Sequence, residues 1–219
     1  VVLKRGTTLG QGNRVFDGAV LGGYPQHVHM PERPGRIVVG EGNVIRENVT
    51  IHRGTIQGRS ETTIGDDNLI MAYVHIGHDC VIGNHAVLVN NSALAGHVRV
   101  GDWAVLSGYT LVHQFCQIGA HAMTGFQSHV SQDVPPFMMV AGHPLAVHGF
   151  NIEGLRRRGF SRERIALVKR MHRLLYRDGL TLEQSRAAIE ALRGTVEGGD
   201  GDIELLLDFL ATAKRGIVR

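Results

Sequence analysis

Every sixth residue from Ile64 onward is aliphatic: Ile64, Ile70, Ile76, Ile82, Leu88, Leu94, Val100, Leu106, Val112, Ile118 and Val130 hold the phase, and Thr124 is its one break. An α-helix cannot use such a pattern, because a period of 3.6 carries positions six apart onto different faces. The same phase runs earlier through Leu3, Leu9, Val15, Leu21, Val39, Ile45 and Ile51, and a small residue often follows the aliphatic one, as at Gly10, Gly22, Gly40, Gly65, Gly77, Gly83, Gly101, Gly119 and Gly125. We read the pair as an inward side chain followed by a residue small enough for a tight corner. Three hexads then close one triangular coil, and coils stack at the parallel-strand spacing of about 4.8 Å. The expected fold is a β-solenoid, a left-handed parallel β-helix of hexapeptide repeats, over residues 1–140.

Two stretches leave the phase, Gly22 to Val38 and His52 to Thr63, where Pro, Gly or charge replaces the inward aliphatic; they read as loops extruded from the solenoid. Each coil buries its inward residues on its neighbours, so an end of the prism exposes apolar surface unless something caps it. After Pro135 and Pro136 the hexads stop and helix signals follow. Ser161 precedes an Ile165, Val168, Met171, Leu174, Leu175 face; Thr181 and Gln184 form a capping box; Asp202 precedes Ile203, Leu206, Leu207 and Leu210; Gly179 and Gly194 end the first two helices. A C-terminal α-helical appendage is therefore expected at 150–219, where it can cap the last coil.

Composition agrees: 29 glycines and 5% aromatics suit a chain that turns often around a narrow interior and exclude an aromatic-filled sandwich. No apolar run reaches membrane-spanning length and Val1 to Arg5 lack the pattern of a signal peptide, so cytoplasm is the expected compartment. The chain opens on Val1 within a repeat, which predicts that further coils precede it in the natural protein. Basic residues gather after position 150, at Arg156, Arg157, Arg158, Arg162, Arg164, Lys169, Arg170, Arg173 and Arg177, and suit an acidic partner. Nucleic acid is not expected as that partner, because no recognition motif appears and no aromatic residues interleave the charge. Cys80 and Cys116 share one hexad position two coils apart, too far for a disulfide, and read as reduced packing residues.

Coil arithmetic brings polar residues to one corner. Adding eighteen to His78 gives 96 and then 114, so His78, His97 and His113 fall within one residue of a vertical stack, with His75, Asp79, Gly96 and Gln114 beside them. An imidazole beside a carboxylate is the usual equipment for taking a proton from a hydroxyl, with Asp79 fixing the tautomer. Three histidines on adjacent coils also suit zinc, as in carbonic anhydrases built on this type of solenoid. On the residues alone both readings stand; the expectation adopted is a base and no metal.

The segments IHRGT (51–55), HIGHDCVIGN (75–84), NNSALAGHV (90–98), VHQFCQIGAH (112–121), QDVPP (132–136) and NIEGLRRRGFSRE (151–163) resemble the UDP-N-acetylglucosamine O-acyltransferases that begin lipid A synthesis. The resemblance runs nearly the whole chain. It implies transfer of a hydroxyacyl chain from acyl carrier protein to the 3-hydroxyl of the sugar, in a homotrimer with clefts between subunits. On it, His78 is the general base, Asp79 orients the ring and the Gly96 amide stabilises the oxyanion. Gln26, His27, His29, His75, His97, His113 and Gln114 match positions that line substrate, and Asn151, Glu153, Arg157 and Arg158 match those that hold the nucleotide and its phosphates, for which guanidinium forks are suited. No cofactor is implied, since the donor carries its own phosphopantetheine, and the acidic carrier protein gives the basic segment a partner.

Two positions depart from the pattern. His27 and His29, in PQHVHMPERPG (25–35), stand where the family usually has an acidic residue and a lysine, which leaves open a paralogue acting on a different UDP-sugar. Phe126 stands where the family often has glycine or another small residue that sets the depth of the acyl groove, which implies a shorter donor. A CoA-dependent acetyltransferase of the same fold, a zinc enzyme and a non-catalytic scaffold are the competing expectations.

Overall fold

The computed structural model describes residues 1–28 and 35–219. His29 lies outside the described residues. The chain winds as a left-handed parallel β-helix whose successive short strands visit three sheets in turn. Among the described residues, the first sheet holds seven strands, from Val2–Leu3 to His129–Val130, and the second six, from Thr7–Leu9 to Gln117–Ile118. The third holds eight, from Arg14–Val15 to the pair Met138–Ala141 and Ala146–Phe150. Register follows the eighteen-residue coil: His75 pairs with Ala93, Ala93 with Leu111 and Leu111 with His129, while Ile76, Leu94, Val112 and Val130 form the neighbouring inward column. The inward aliphatics from Leu21 to Val130 are buried, each contributing about 1.5–3 kcal/mol of apolar transfer. At Thr124 the hydroxyl takes the inward place by accepting from the Ser107 amide at 3.0 Å and meeting the Thr110 hydroxyl at 2.7 Å.

The corners are built differently from the expectation. Every sixth residue from Asp67 to Gln127 is a non-glycine with φ between 55° and 67°, a left-handed conformation that costs about 1–2 kcal/mol each time. Hydrogen bonds offset the strain, because each such amide donates to the preceding coil, as from His97 to the His78 carbonyl at 2.9 Å and from Trp103 to that of Asn84 at 2.9 Å. The glycines that follow the inward residue mostly serve a different purpose: close approach of one coil to the next. A Cβ on Gly101 would lie 2.5 Å from the Ala120 amide nitrogen, and one on Gly119 would lie 2.3 Å from that of Pro136. A buried asparagine ladder inside the prism adds to this, the Asn68 side chain donating to Asn43 and to the Gly83 carbonyl, both at 2.9 Å.

The phase breaks overreach at their C-terminal ends, because Arg36–Val39 and Glu61–Ile64 already pair in the second sheet. At the other end, strands continue to Phe150 before helix α1 (Ile152–Arg157), which the sequence reading did not foresee and which Asn151 caps. Helices α2 (Arg162–Tyr176) and α3 (Leu182–Glu190) start at the Ser161 cap and the Thr181–Gln184 capping box. Helix α4 (Asp200–Thr212) starts before Asp202, which instead forms a two-pronged ion pair with Arg164 at 2.7 and 2.9 Å. The segment after α4 returns to the last coil, where buried Asp133 accepts from the amides of Gln117, Lys214 and Arg215.

Because the space beside Gly101 is filled by backbone, Gly101→Ala should destabilise the protein by about 1–3 kcal/mol. A melting temperature equal to that of the parent would refute the close-approach role.

Candidate active site

The outer face of the first sheet and the corner beside it enclose a cleft of about 1030 Å³, whose polar wall includes Gln26, His27, His52, His75, His78, Gly96, His113, Gln114, His129 and His143. Its apolar wall includes Ala93, Leu111, Val130 and Leu145. His78 precedes the left-handed corner residue Asp79, and its Nδ1 lies 2.8 Å from Asp79 Oδ2. The carboxylate is buried and accepts further bonds from the Thr55 amide, the Thr55 hydroxyl at 2.7 Å and the Arg59 amide at 2.8 Å, all from the second extruded loop. Gly58 allows that approach, since a Cβ there would lie 2.6 Å from the carboxylate. Burial pushes the Asp79 carboxyl up, but the bonds from His78, Thr55 and Arg59 outweigh it and hold the group below its ordinary value. An ionised Asp79 makes His78 Nδ1 the donor and leaves Nε2 as the open, basic nitrogen.

That ring rests on Gly96, where a Cβ would come within 2.6 Å of Nε2, so only glycine fits beneath it. The Gly96 amide has no acceptor among the described residues and sits on the cleft wall next to the imidazole. His27 meets His78 edge-on at 5.6 Å. His75 shares a 2.8 Å hydrogen bond with the Thr50 hydroxyl and packs edge-on to His52 at 4.9 Å. Burial lowers His75 and His97 and, with His75 and His78 beside it, takes His52 down to about 4, so these rings are neutral at neutral pH.

His97 stands next to His78 on the following coil, where the count of eighteen places it; its left-handed backbone sets the ring edge-on to His78 at 5.1 Å and face to face with Phe115 at 4.6 Å. His113 lines the cleft without joining that stack, its Nδ1 lying 3.1 Å from the Gln114 carbonyl. The donor atoms of His78, Asp79 and His97 do lie within 4.8 Å of one another, the spacing of a metal site. Both Asp79 oxygens are already engaged by amides, a hydroxyl and an imidazole, which makes the carboxylate a hydrogen-bond acceptor that orients His78. Both cysteines are buried, and burial raises their thiols to about 12 at Cys80 and about 11 at Cys116, which removes them as nucleophiles.

Within one chain, the NIEGLRRR residues lie apart from this cleft. Asn151 accepts from the Gly154 amide and donates to the His121 carbonyl at 2.9 Å, Glu153 pairs with Arg156, and Arg157 is exposed. Arg158 lies over Trp103, 5.4 Å from its ring centre, and donates to the Trp103 carbonyl at 2.7 Å. Phe126, 63% exposed, leans on Tyr109 outside the cleft. Sequence reasoning missed His52, Thr55 and Arg59, because the loop insertion breaks the count of eighteen that links coils. It also missed His129, which three full coils counted from His75 would have found.

The sequence family described as UDP-N-acetylglucosamine O-acyltransferase, domain 2, matches residues 133–218, and six bacterial transferase hexapeptide repeats match residues 61–96. An acyl-[acyl-carrier-protein]–UDP-N-acetylglucosamine O-acyltransferase of Verminephrobacter eiseniae is 56% identical over 100% of this chain and 83% of its own length. The enzyme of the same name in Pseudomonas entomophila is 52% identical over 94% of this chain and 79% of its own. The crystal structure of a UDP-N-acetylglucosamine acyltransferase from Bacteroides fragilis superposes with a TM-score of 0.93 at 37% identity, covering 99% of this chain and 83% of that one.

The depressed histidines set a pH window for stability. His52 and His121 titrate at about 4 in the folded chain, the latter through burial and the neighbouring Arg158 and Arg164. An unfolded histidine titrates at about 6.5, so between those values the unfolded chain binds protons that the folded chain does not, and stability falls as pH drops. The share from Asp79, whose folded value is lowered, is lost at more acid pH still. The melting temperature should therefore fall from pH 7 to pH 4, and His52→Asn should flatten the slope; an unchanged slope in the variant would reject the buried neutral imidazole.

Proposed function

The chain belongs to the UDP-N-acetylglucosamine O-acyltransferase family, and from that premise we propose that it moves a 3-hydroxyacyl chain from acyl carrier protein to the 3-hydroxyl of UDP-N-acetylglucosamine, with His78 as the general base. The observation that carries the mechanism is the 2.8 Å His78–Asp79 pair, its open nitrogen facing a cleft wall that also presents the Gly96 amide. His78 Nε2 takes the hydroxyl proton as the sugar oxygen attacks the thioester carbonyl carbon. The carbonyl oxygen becomes an oxyanion held by the Gly96 amide. Collapse breaks the carbon–sulfur bond, and the departing thiolate receives the proton from the His78 imidazolium. Asp79 stays ionised and stabilises that imidazolium. No cofactor takes part, because the donor brings its own phosphopantetheine.

Gln26, His27, His52, His75, His113 and Gln114 surround the sugar in this reading, and His97 braces His78 from behind. The protein acts in the cytoplasm as a homotrimer whose clefts lie between subunits, so that Asn151, Glu153, Arg157 and Arg158 reach the nucleotide from a neighbouring copy. The exposed apolar residues Tyr73, Tyr109, Leu111 and Phe126 support that arrangement, since rings and aliphatics left in water suit a subunit contact. At such a contact Phe126 shortens the acyl groove.

His78→Ala should lower kcat by about 10²–10⁴-fold, read by mass spectrometry of the acylated nucleotide sugar. Undiminished turnover would remove the proposed base. Chelator treatment should leave turnover unchanged, whereas a stoichiometric metal lost together with activity would overturn the cofactor-free reaction. Phe126→Gly should shift the donor preference toward longer chains, each added methylene recovering about 0.8 kcal/mol of burial; equal use of long and short donors by the parent protein would count against that role.

A further inference from the structure

Among the groups that hold Asp79, the Thr55 hydroxyl has no part in the chemistry described so far. Oδ2 of the carboxylate accepts from His78 Nδ1 at 2.8 Å, from the Thr55 hydroxyl at 2.7 Å and from the Thr55 amide at 3.0 Å, while Oδ1 accepts from the Arg59 amide at 2.8 Å. The two amides belong to the backbone and come with any residues the turn carries. The hydroxyl depends on the residue at 55. Thr55 is 2% and Asp79 1% exposed, so the bond between them is made out of reach of bulk water.

The turn that presents this hydroxyl is fixed from several sides. The Arg53 amide donates to the Gly23 carbonyl at 3.0 Å, and the Gly58 and Ser60 amides both close on the Thr55 carbonyl, at 3.1 and 2.9 Å. Gly58 lies flat against the carboxylate, where a Cβ would come within 2.6 Å of its carbon and of both oxygens. On the far side, the Asp79 amide donates to the Thr62 hydroxyl at 2.8 Å. Rotation of the carboxylate about its own side chain is the freedom that the backbone leaves open, and a second imidazole stands close by: His97 Nε2 lies 3.8 Å from the same Oδ2.

Resting on the reading of His78 as the base, we infer that Thr55 is a positioning residue for the reaction: its hydroxyl pins Oδ2 on His78 rather than on His97. One ring of the two is then held as the donor to Asp79, with its other nitrogen open to the cleft. The bonded oxygen is already in place when His78 becomes an imidazolium, so no rotation of the carboxylate accompanies proton transfer. Without the hydroxyl, the carboxylate is free to share Oδ2 between the two rings, and His78 loses its fixed tautomer for part of the time.

Thr55→Val keeps the branched shape and the amides of the turn and removes the hydroxyl. In kinetics of the full chain with a 3-hydroxyacyl carrier protein and UDP-N-acetylglucosamine, it should lower kcat about tenfold, equivalent to about 1.4 kcal/mol. Both KM values should stay as in the parent, and Thr55→Ser should restore most of kcat. In an Asp79→Asn background the same change should cost little further, because the hydroxyl acts through that carboxylate. Parent kcat in Thr55→Val, no recovery in Thr55→Ser, or the same tenfold loss with Asp79→Asn present overturns the assignment. Should Thr55→Val melt below the assay temperature, Gly58→Ala, which lifts the turn off the carboxylate, tests the same contact: a lower kcat at unchanged KM supports it and parent kcat overturns it. His78→Ala separates the two readings. Undiminished turnover there overturns the base itself, whereas lost turnover there beside a fully active Thr55→Val overturns the positioning role alone.

Discussion

The structure depends on a coil that returns, after eighteen residues, to hydrogen-bond with itself one level higher. Each corner must take a left-handed residue to close, and each such residue is held by an amide donated to the coil before it. Strain and compensation thus recur at every corner, and neither is large alone. Their regularity aligns the inward aliphatics into columns and sets His78 over Gly96 at a fixed height. A slip of one residue would turn every inward side chain outward.

Much of this was legible from the hexads. The phase of the aliphatics gives the inward columns, and the count of eighteen places Gly96 and Gln114 above His78. The part that was misread concerns glycine: its recurrence after each inward residue looked like a turn signal, yet at Gly101 and Gly119 it answers to crowding by the next coil, which no single hexad reveals. Corner conformation was hidden for the opposite reason. Trp103, Tyr109 and Phe115 are poor predictors of a left-handed backbone, and only long-range bonds between coils impose it. The cradle of Asp79 was hidden because Thr55 and Arg59 sit on a loop whose length breaks the periodic count.

The cleft shows how burial and hydrogen bonding divide the labour of holding charge. Asp79 remains ionised within the protein because the His78 imidazole, two amides and a hydroxyl replace its water, while burial holds His52, His75 and His97 neutral. One fixed negative charge among neutral rings polarises the single imidazole bonded to it. In the reaction proposed above, this difference is what sets His78 apart from the other histidines of the cleft.

The left-handed corners also separate two coordinates that most folds entangle. Because a corner side chain projects outward while its backbone alone serves the coil, moving a functional group by six residues carries it to another edge of the prism at nearly constant elevation. Moving it by eighteen lifts it by about 4.8 Å along the same edge. The chain thereby works as a graduated scaffold, on which duplication or deletion of whole turns can lengthen or shorten a binding channel in discrete steps without reshaping the core.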